Sequence, residues 1–322
     1  MARFVITRLL QMIPLLIGIT FLTFAIVNLV PGSPVSRYEF NPRARPEDIE
    51  RIKRNLGLDQ PWPVRYVQWL GNVARGDLGI SLVNYTPVRA RILNVLPNTL
   101  LLTMTSLVFA LLLSIPVGIY AAVKRNSWFD NVSTVGSIAT FAMPSFWLGL
   151  LLILLFAVKF YEWGLPSLPA GGTRTLRGET GFLDRVQHLI LPSLALGLVQ
   201  LAAWMRYIRS SMLEVIRQDF VRTAQAKGLR DRVVLYSHAF RNALLPLVTL
   251  VGLSIPDLFG GAVIIEQVFA WNGVGRLIND AAQSSDYTLV MGAVLMLAVL
   301  TLLANLLADV LYAILDPRIR YD

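Results

Sequence analysis

The sequence predicts an all-α integral membrane protein with six transmembrane helices and a helical extracytoplasmic insert between the first two. Three observations carry this. Of 322 residues, 55% are hydrophobic and 15% are charged, whereas soluble domains carry about 25% charge. Apolar runs recur along the chain at the length of about 20 residues that a bilayer demands. The net charge of +9, from 29 Lys and Arg against 20 Asp and Glu, sits mainly beside those runs, as the positive-inside rule expects. Length alone would allow two soluble domains, but the apolar runs overrule it. Nucleic-acid binding is excluded because no exposed basic stripe is left to follow a phosphate backbone. The chain has no Cys, so disulfides and thiol chemistry are excluded. Its two His, His188 and His238, lie fifty residues apart, and nothing in their surroundings has zinc-ligand spacing. No metal site is expected.

Residues 1–30 read as an N-terminal transmembrane helix. Arg3 and Arg8 precede Leu9–Val30, which carries no charge over 22 residues. A cleaved signal peptide would have an apolar core of roughly 7–15 residues ending in small ones. This run is longer and ends at Asn28-Leu29-Val30-Pro31-Gly32, so an uncleaved first span is expected, its N-terminus inside.

Residues 31–95 form the insert. Pro46-Glu47-Asp48 is a helix start, and Ile49, Ile52 and Leu56 share its apolar face. A second amphipathic piece follows, with Tyr66, Trp69, Leu70 and Val73 inward and Gly76 at its end. The insert holds ten Lys and Arg, but segments this long cross largely regardless of charge.

Residues 96–315 hold five further spans. Leu96–Val123 is followed by Lys124-Arg125, the mark of an inner end. Val132–Val158 is interrupted at Met143-Pro144-Ser145, a break tolerated where neighbours satisfy the freed backbone. An outer loop over Phe160–Val186 places Tyr161 and Trp163 at belt height. Leu189–Met205, Ala243–Phe269 and Thr288–Leu315 complete the set, and residues 316–322 return to the basic side as a tail. Six spans put both termini inside.

The stretch 206–246 is the long charged interruption in this half. From Arg206 to Arg241 it holds eight basic residues against Glu214, Asp219 and Asp231. Leu213, Ile216, Phe220 and Ala224 fall on one helical stripe. Gly228 suits a left-handed helix end, and Asp231 can cap a second short helix running toward Leu244. Helix, glycine turn, helix, basic outside and apolar on one face, suits docking into a partner's groove. A loop held by anionic lipid headgroups would carry the same charge.

Catalytic signals are absent. Lys53, Lys124, Lys159 and Lys227 all follow residues other than Gly, so no G-x-x-x-x-G-K-[ST] phosphate loop exists. Gly273-Val274-Gly275 reads as a turn. Asp257 and Glu266 lie in or at the end of the fifth span. An intramembrane acid is a functional candidate by default; Asp257 could equally cap a helix broken by Pro256 and Gly260-Gly261 or sit in a watery cavity. Glu266 reads as structural.

At this point the residues resemble a family. Phe220-Val221-Arg222-Thr223-Ala224-Gln225-Ala226-Lys227-Gly228-Leu229, followed by His238-Ala239-Phe240-Arg241-Asn242-Ala243-Leu244-Leu245-Pro246, is similar to the Glu-Ala-Ala loop of ABC-importer permeases. The dipeptide, oligopeptide and nickel branch is closest in pattern. Arg222-Thr223-Ala224 fills the Glu-Ala-Ala positions, Gly228 falls in place, and Leu245-Pro246 comes five residues later than the general spacing, departures that the branch shares. Leu29-Val30-Pro31-Gly32, Leu56-Gly57-Leu58-Asp59-Gln60-Pro61, Gly76-Asp77-Leu78-Gly79, Gly273-Val274-Gly275-Arg276-Leu277, Asp286-Tyr287 and Leu315-Asp316-Pro317-Arg318 extend the resemblance along nearly the whole chain. Asn272 stands where the family often has Pro.

The resemblance implies a type I ABC importer permease fold and the first of two homologous permease subunits, moving peptides across a bacterial or archaeal cytoplasmic membrane. It implies two cytoplasmic ATPases, which carry ATP and Mg, and an extracytoplasmic solute-binding protein; this chain itself binds no cofactor and is no enzyme. Phe220, Thr223, Ala224, Lys227, Gly228 and Leu229 would form the joint to an ATPase, with His238, Arg241 and Asn242 bracing it. Pro144, Pro256 and Asp257 would belong to the solute path, the two prolines as gates in broken spans. The alternative is a secondary transporter driven by an ion at Asp257.

Overall fold

The computed structural model describes residues 2–29, 47, 50, 59–175, 181–230 and 233–315. Among the described residues the elements are helical, apart from one isolated bridge between Ile80 and Pro87. Six helical segments are long and apolar enough to cross a membrane. Of the expected helix start at Pro46-Glu47-Asp48, Glu47 is helical, while Pro46, Asp48, Ile49, Ile52 and Leu56 lie outside the described residues, as does Asp231. The chain divides into two compact units, residues 1–97 with 273–300, and residues 98–272 with 301–322.

In the first unit, α1 (Ala2–Leu29) runs unbroken through Pro14. Against it packs α2 (Trp62–Ala74), which starts with Pro at its first turn and buries Tyr66. The Tyr66 hydroxyl lies 3.0 Å from Thr20 Oγ1 and donates to the Ile17 carbonyl at 3.0 Å. Phe21 and Phe24 crowd the same ring, and Trp69 and Leu70 close the cluster. The inward face expected for this helix is therefore the one observed, and Gly76 ends it at φ +82°.

The start of α3 (Val88–Val123) packs Val88, Ile92 and Val95 against α10 (Val274–Gln283) and the first half of α11 (Tyr287–Leu315). Gly292 sits so close that a Cβ there would meet Val88 Cγ1 at 2.5 Å. Asp286, 1% exposed, ties this unit together. It accepts from Ser81 Oγ, from the Leu82 amide at 3.0 Å and from the Leu289 amide at 3.2 Å. Gly273-Val274-Gly275 is more than a turn: Gly273 is the N-cap of α10, and Val274 and Gly275 are buried.

The second unit is built on α7 (Phe182–Val215), which is longer at both ends than the expected fourth span. Helix α3 crosses it at two glycines. A Cβ on Gly118 would lie 2.9 Å from Ile208 Cβ and from the Met205 carbonyl oxygen, and one on Gly197 would lie 2.8 Å from the Phe109 ring. Close approach of this kind is how helices associate where lipid is as apolar as leucine. Thr105 and Ser193 pair at 2.8 Å, and Trp204 Nε1 donates to Ser254 Oγ at 3.3 Å.

The expected third span is two helices. α4 (Trp128–Ala142) ends at Met143, held extended at φ −83°, ψ 135° as residues before proline are. α5 (Ser145–Leu152) follows, with Pro144 as its N-cap, and continues through a π-helical run, Ile153–Lys159, into α6 (Phe160–Glu162). Only the part from Ser145 has bilayer-spanning length and apolarity.

Candidate functional site

The site grows from the C-terminal end of α7. The sequence stripe predicted one helix through Leu213, Ile216, Phe220 and Ala224. Instead α7 stops at Val215, and Ile216, Arg217 and Gln218 fold a turn through amides that reach back to Met212, Glu214 and Val215. Gln218 adopts extended backbone, φ −74° and ψ 152°, and opens a separate helix, α8 (Asp219–Ala226). That reset changes which side chains face inward. Val221 and Ala224 are buried at 1% and 5% exposure, while Phe220 is 38% exposed. Leu213 and Ile216 still pack on the same cluster, beside Met212, Val215, Val234, Ala239 and Ala243.

Gly228 closes α8. Its φ is +75°, its amide donates to the Gln225 carbonyl at 2.9 Å, and the Leu229 amide reaches back to the Ala224 carbonyl at 3.4 Å. This is a glycine-terminated helix end of the Schellman type. A Cβ on Gly228 would meet nothing within 4 Å. The return begins at the Arg230 carbonyl, which accepts from Val233 and Val234. A π-helical run, Val234–Phe240, then passes directly into α9 (Arg241–Val268). The expected separate short helix is therefore the start of the fifth span. The side chains of His238, Arg241 and Asn242 lie outside the described residues.

The elbow therefore presents Phe220, Arg222, Thr223, Gln225, Lys227, Gly228 and Leu229 outward, with Val221 and Ala224 holding it from within. Behind it lies a cavity of ≈ 460 Å³, between Ala122, Val123 and Arg125 at the end of α3 and Leu213, Val221 and Leu235 of the elbow.

Sequence reasoning missed what fixes this end of the bundle. Arg209, counted there among outward basic residues, turns inward. Its Nε and Nη2 donate to Asp130 Oδ1 and Oδ2 at 2.5 and 2.8 Å, a two-point fork. Asp130 also accepts from the Asn126 amide at 2.9 Å, and the Ser127 hydroxyl caps the Asp130 amide at 3.2 Å. The Arg209 guanidinium holds the Asp130 carboxyl down at about 2, below the usual 3.8. Arg206 lies with its guanidinium over the Phe141 ring, 4.8 Å from its centre. Two of the eight basic residues thus tie α7 to α4. The one available signal was Ser127-Trp128-Phe129-Asp130 after Lys124-Arg125, a helix cap with an acid in its first turn.

The other candidates separate. Pro144 does break its span, and it is exposed. Pro256 does not: α9 is continuous from Arg241 to Val268. Asp257 therefore caps no broken helix; it is exposed on the side of an intact one. Glu266, fully buried, accepts from Thr99 Oγ1 at 2.6 Å. It lies near Trp271, whose Nε1 donates to the Asn98 carbonyl at 3.0 Å, and Asn98 Nδ2 donates to the Asn272 carbonyl at 2.7 Å. Among the described residues no group of three or more His, Asp or Glu could hold a metal ion. What the elbow offers is an exposed amphipathic lever between two long helices.

Comparison with known proteins agrees with that geometry. Residues 114–321 match the family described as "Binding-protein-dependent transport system inner membrane component", and residues 1–103 match its N-terminal companion. The oligopeptide transport system permease protein AppB of Bacillus subtilis (strain 168) is 44% identical over 100% of both chains. The dipeptide transport system permease protein DppB of Escherichia coli (strain K12) is 41% identical over 100% of this chain and 99% of its own. Among solved structures, a chain of the MetNI methionine ABC transporter in inward-facing conformations superimposes with a TM-score of 0.55 at 17% identity. The match covers 70% of this chain and 96% of that one, a likeness of fold.

Proposed function

The chain belongs to the family of inner membrane components of binding-protein-dependent transport systems, and from that premise we propose that it is one of two homologous permease subunits of an ATP-driven importer of peptides. The observation that supports this best is the elbow. An exposed short helix closed by a positive-φ glycine lies in the chain between the spanning helices α7 and α9, so a push at its tip would reach both. Two relatives that match end to end are named for oligopeptide and dipeptide transport, which supports the cargo.

In this reading Phe220, Thr223, Lys227, Gly228 and Leu229 contact a cytoplasmic ATPase. Ala224 supports them from inside, and His238, Arg241 and Asn242 stand at the root of α9. Two such ATPases carry ATP and Mg; a solute-binding protein delivers cargo from outside; residues 31–95 face that side and the termini face the cytoplasm. Residues 96–315 form the permease core with 206–246 as its coupling segment, and the solute path passes Pro144, Pro256 and Asp257.

The test is reconstitution of the chain with its sister permease, ATPases and binding protein in liposomes. Uptake of a dipeptide or short peptide that requires both ATP and the binding protein is expected. Uptake by this chain alone, driven by a proton gradient, would replace this reading with the ion-coupled one.

A further inference from the structure

Helix α9 has two faces. One buries Leu258, Ala262 and Ile265 against Leu102, Leu191 and Leu196. The other exposes Leu253, Asp257, Gly260, Ile264 and Gln267, spaced four, three, four and three residues apart, one continuous stripe of a helix. Leu253 and Ile264 on it are 65% and 46% exposed. Asp257 sits in the apolar segment Leu250–Val268 that is long enough to span the bilayer, and it has no hydrogen-bond or ion-pair partner among the described residues. The other acid of this helix, Glu266, is buried and bonded to Thr99. So the two carboxyls do different things, and Asp257 is the one that is offered outward.

A carboxyl facing lipid at mid-span is costly; such groups face water-filled cavities or partners of opposite charge. The stripe contains no Lys or Arg, so nothing on it neutralises Asp257. One turn on, Gly260 leaves room: a Cβ there would meet nothing within 4 Å. The stripe thus offers one fixed acceptor with room beside it. A mobile cation fits that arrangement, and a peptide always brings one, the α-ammonium at its N-terminus, whatever its side chains are.

We propose that Asp257 is a cargo contact that receives the α-ammonium of the passing peptide by a charge-assisted hydrogen bond, which rests on the reading of the chain as a peptide permease. One acceptor reads the class without reading the sequence. A single contact also suits a path, where binding must be favourable enough to enter and weak enough to leave.

The test uses the complete complex in liposomes and two cargoes, a dipeptide and its des-amino analogue, each at saturating concentration with the binding protein. In the parental complex the dipeptide enters roughly tenfold faster, the scale of one hydrogen bond to a charged group. In Asp257→Asn the ratio of the two rates falls to about one, and in Asp257→Glu it stays near the parental value. The binding protein is the same in each, so its own preference cancels. An unchanged ratio in Asp257→Asn overturns the proposal, and so does equal loss of both cargoes from a complex that assembles. If the parental complex moves neither cargo with ATP, the function reading itself fails.

Discussion

Gly228 and Asp130 are the two residues at the elbow end whose chemistry is most constrained. At φ +75°, a β-branched side chain at position 228 is strained by roughly 1–2 kcal/mol, although nothing in the chain itself would touch its Cβ. Gly228→Val is therefore expected to leave the chain inserted and paired but to weaken ATPase retention in a pull-down and uptake per ATP hydrolysed. Gly228→Ala should fall between Val and the parent. Parental values for Gly228→Val in both measurements would remove the elbow from the coupling path. Asp130 has the opposite character, a nearly buried charge with a full set of donors. Asp130→Asn should cost about 2–3 kcal/mol by weakening the fork and leaving Arg209 uncompensated. The sign of its pH dependence follows from the lowered carboxyl. The clamp contributes fully above the unfolded value of 3.8 and loses its contribution as pH falls through about 2. The melting gap between parent and Asp130→Asn should be flat from about pH 8 to about pH 5 and close below about pH 4.

Among elements, the number of spans was legible because bilayer thickness imposes a length that an apolar run either meets or does not, although the third begins at Ser145 and not at Val132. The inward face of α2 was legible too, since Tyr66, Trp69, Leu70 and Val73 repeat at helical spacing and Gly76 stops it. The break at Ile216–Gln218 was not. Leu213, Ile216, Phe220 and Ala224 keep the same spacing whether or not a turn intervenes, and no Gly, Pro or capping side chain marks it. Tertiary packing decides there: Val221 and Ala224 must reach Val234 and Ala239 on the returning run. The α3–α7 crossing was likewise hidden, because Gly118 and Gly197 acquire meaning only once a second helix lies on them. Gly118→Ala puts a Cβ 2.9 Å from Ile208 and Met205, and overpacking of this kind costs about 1–3 kcal/mol. A lower melting temperature of the purified complex is expected. Gly136→Ala in α4, where a Cβ meets nothing within 4 Å, should show no loss, which separates packing from helix propensity.

For the whole molecule, the same argument that made the spans legible leaves sidedness resting on charge, and the charge is divided. Ten Lys and Arg lie in residues 31–95 and eight in 206–241. The positive-inside rule weighs short loops and discounts long ones, so it assigns the elbow to the cytoplasm and the insert to the outside. The function reading needs the same assignment, since ATP is inside and the delivered peptide outside. The absence of Cys allows a direct measurement without background labelling. Gln68 on α2 and Gln218 before α8 are both exposed, so a thiol at either is reachable once its side of the membrane is. Gln68→Cys should react with an impermeant maleimide in intact cells, after any outer envelope is made leaky. Gln218→Cys should react only when the cytoplasmic membrane is opened. Reversed labelling would place the elbow outside, away from any ATPase, and the coupling role of Gly228 would fall with it. Labelling of both from outside would mean an even number of crossings between the insert and the elbow instead of three, and the six-span topology itself would have to be abandoned.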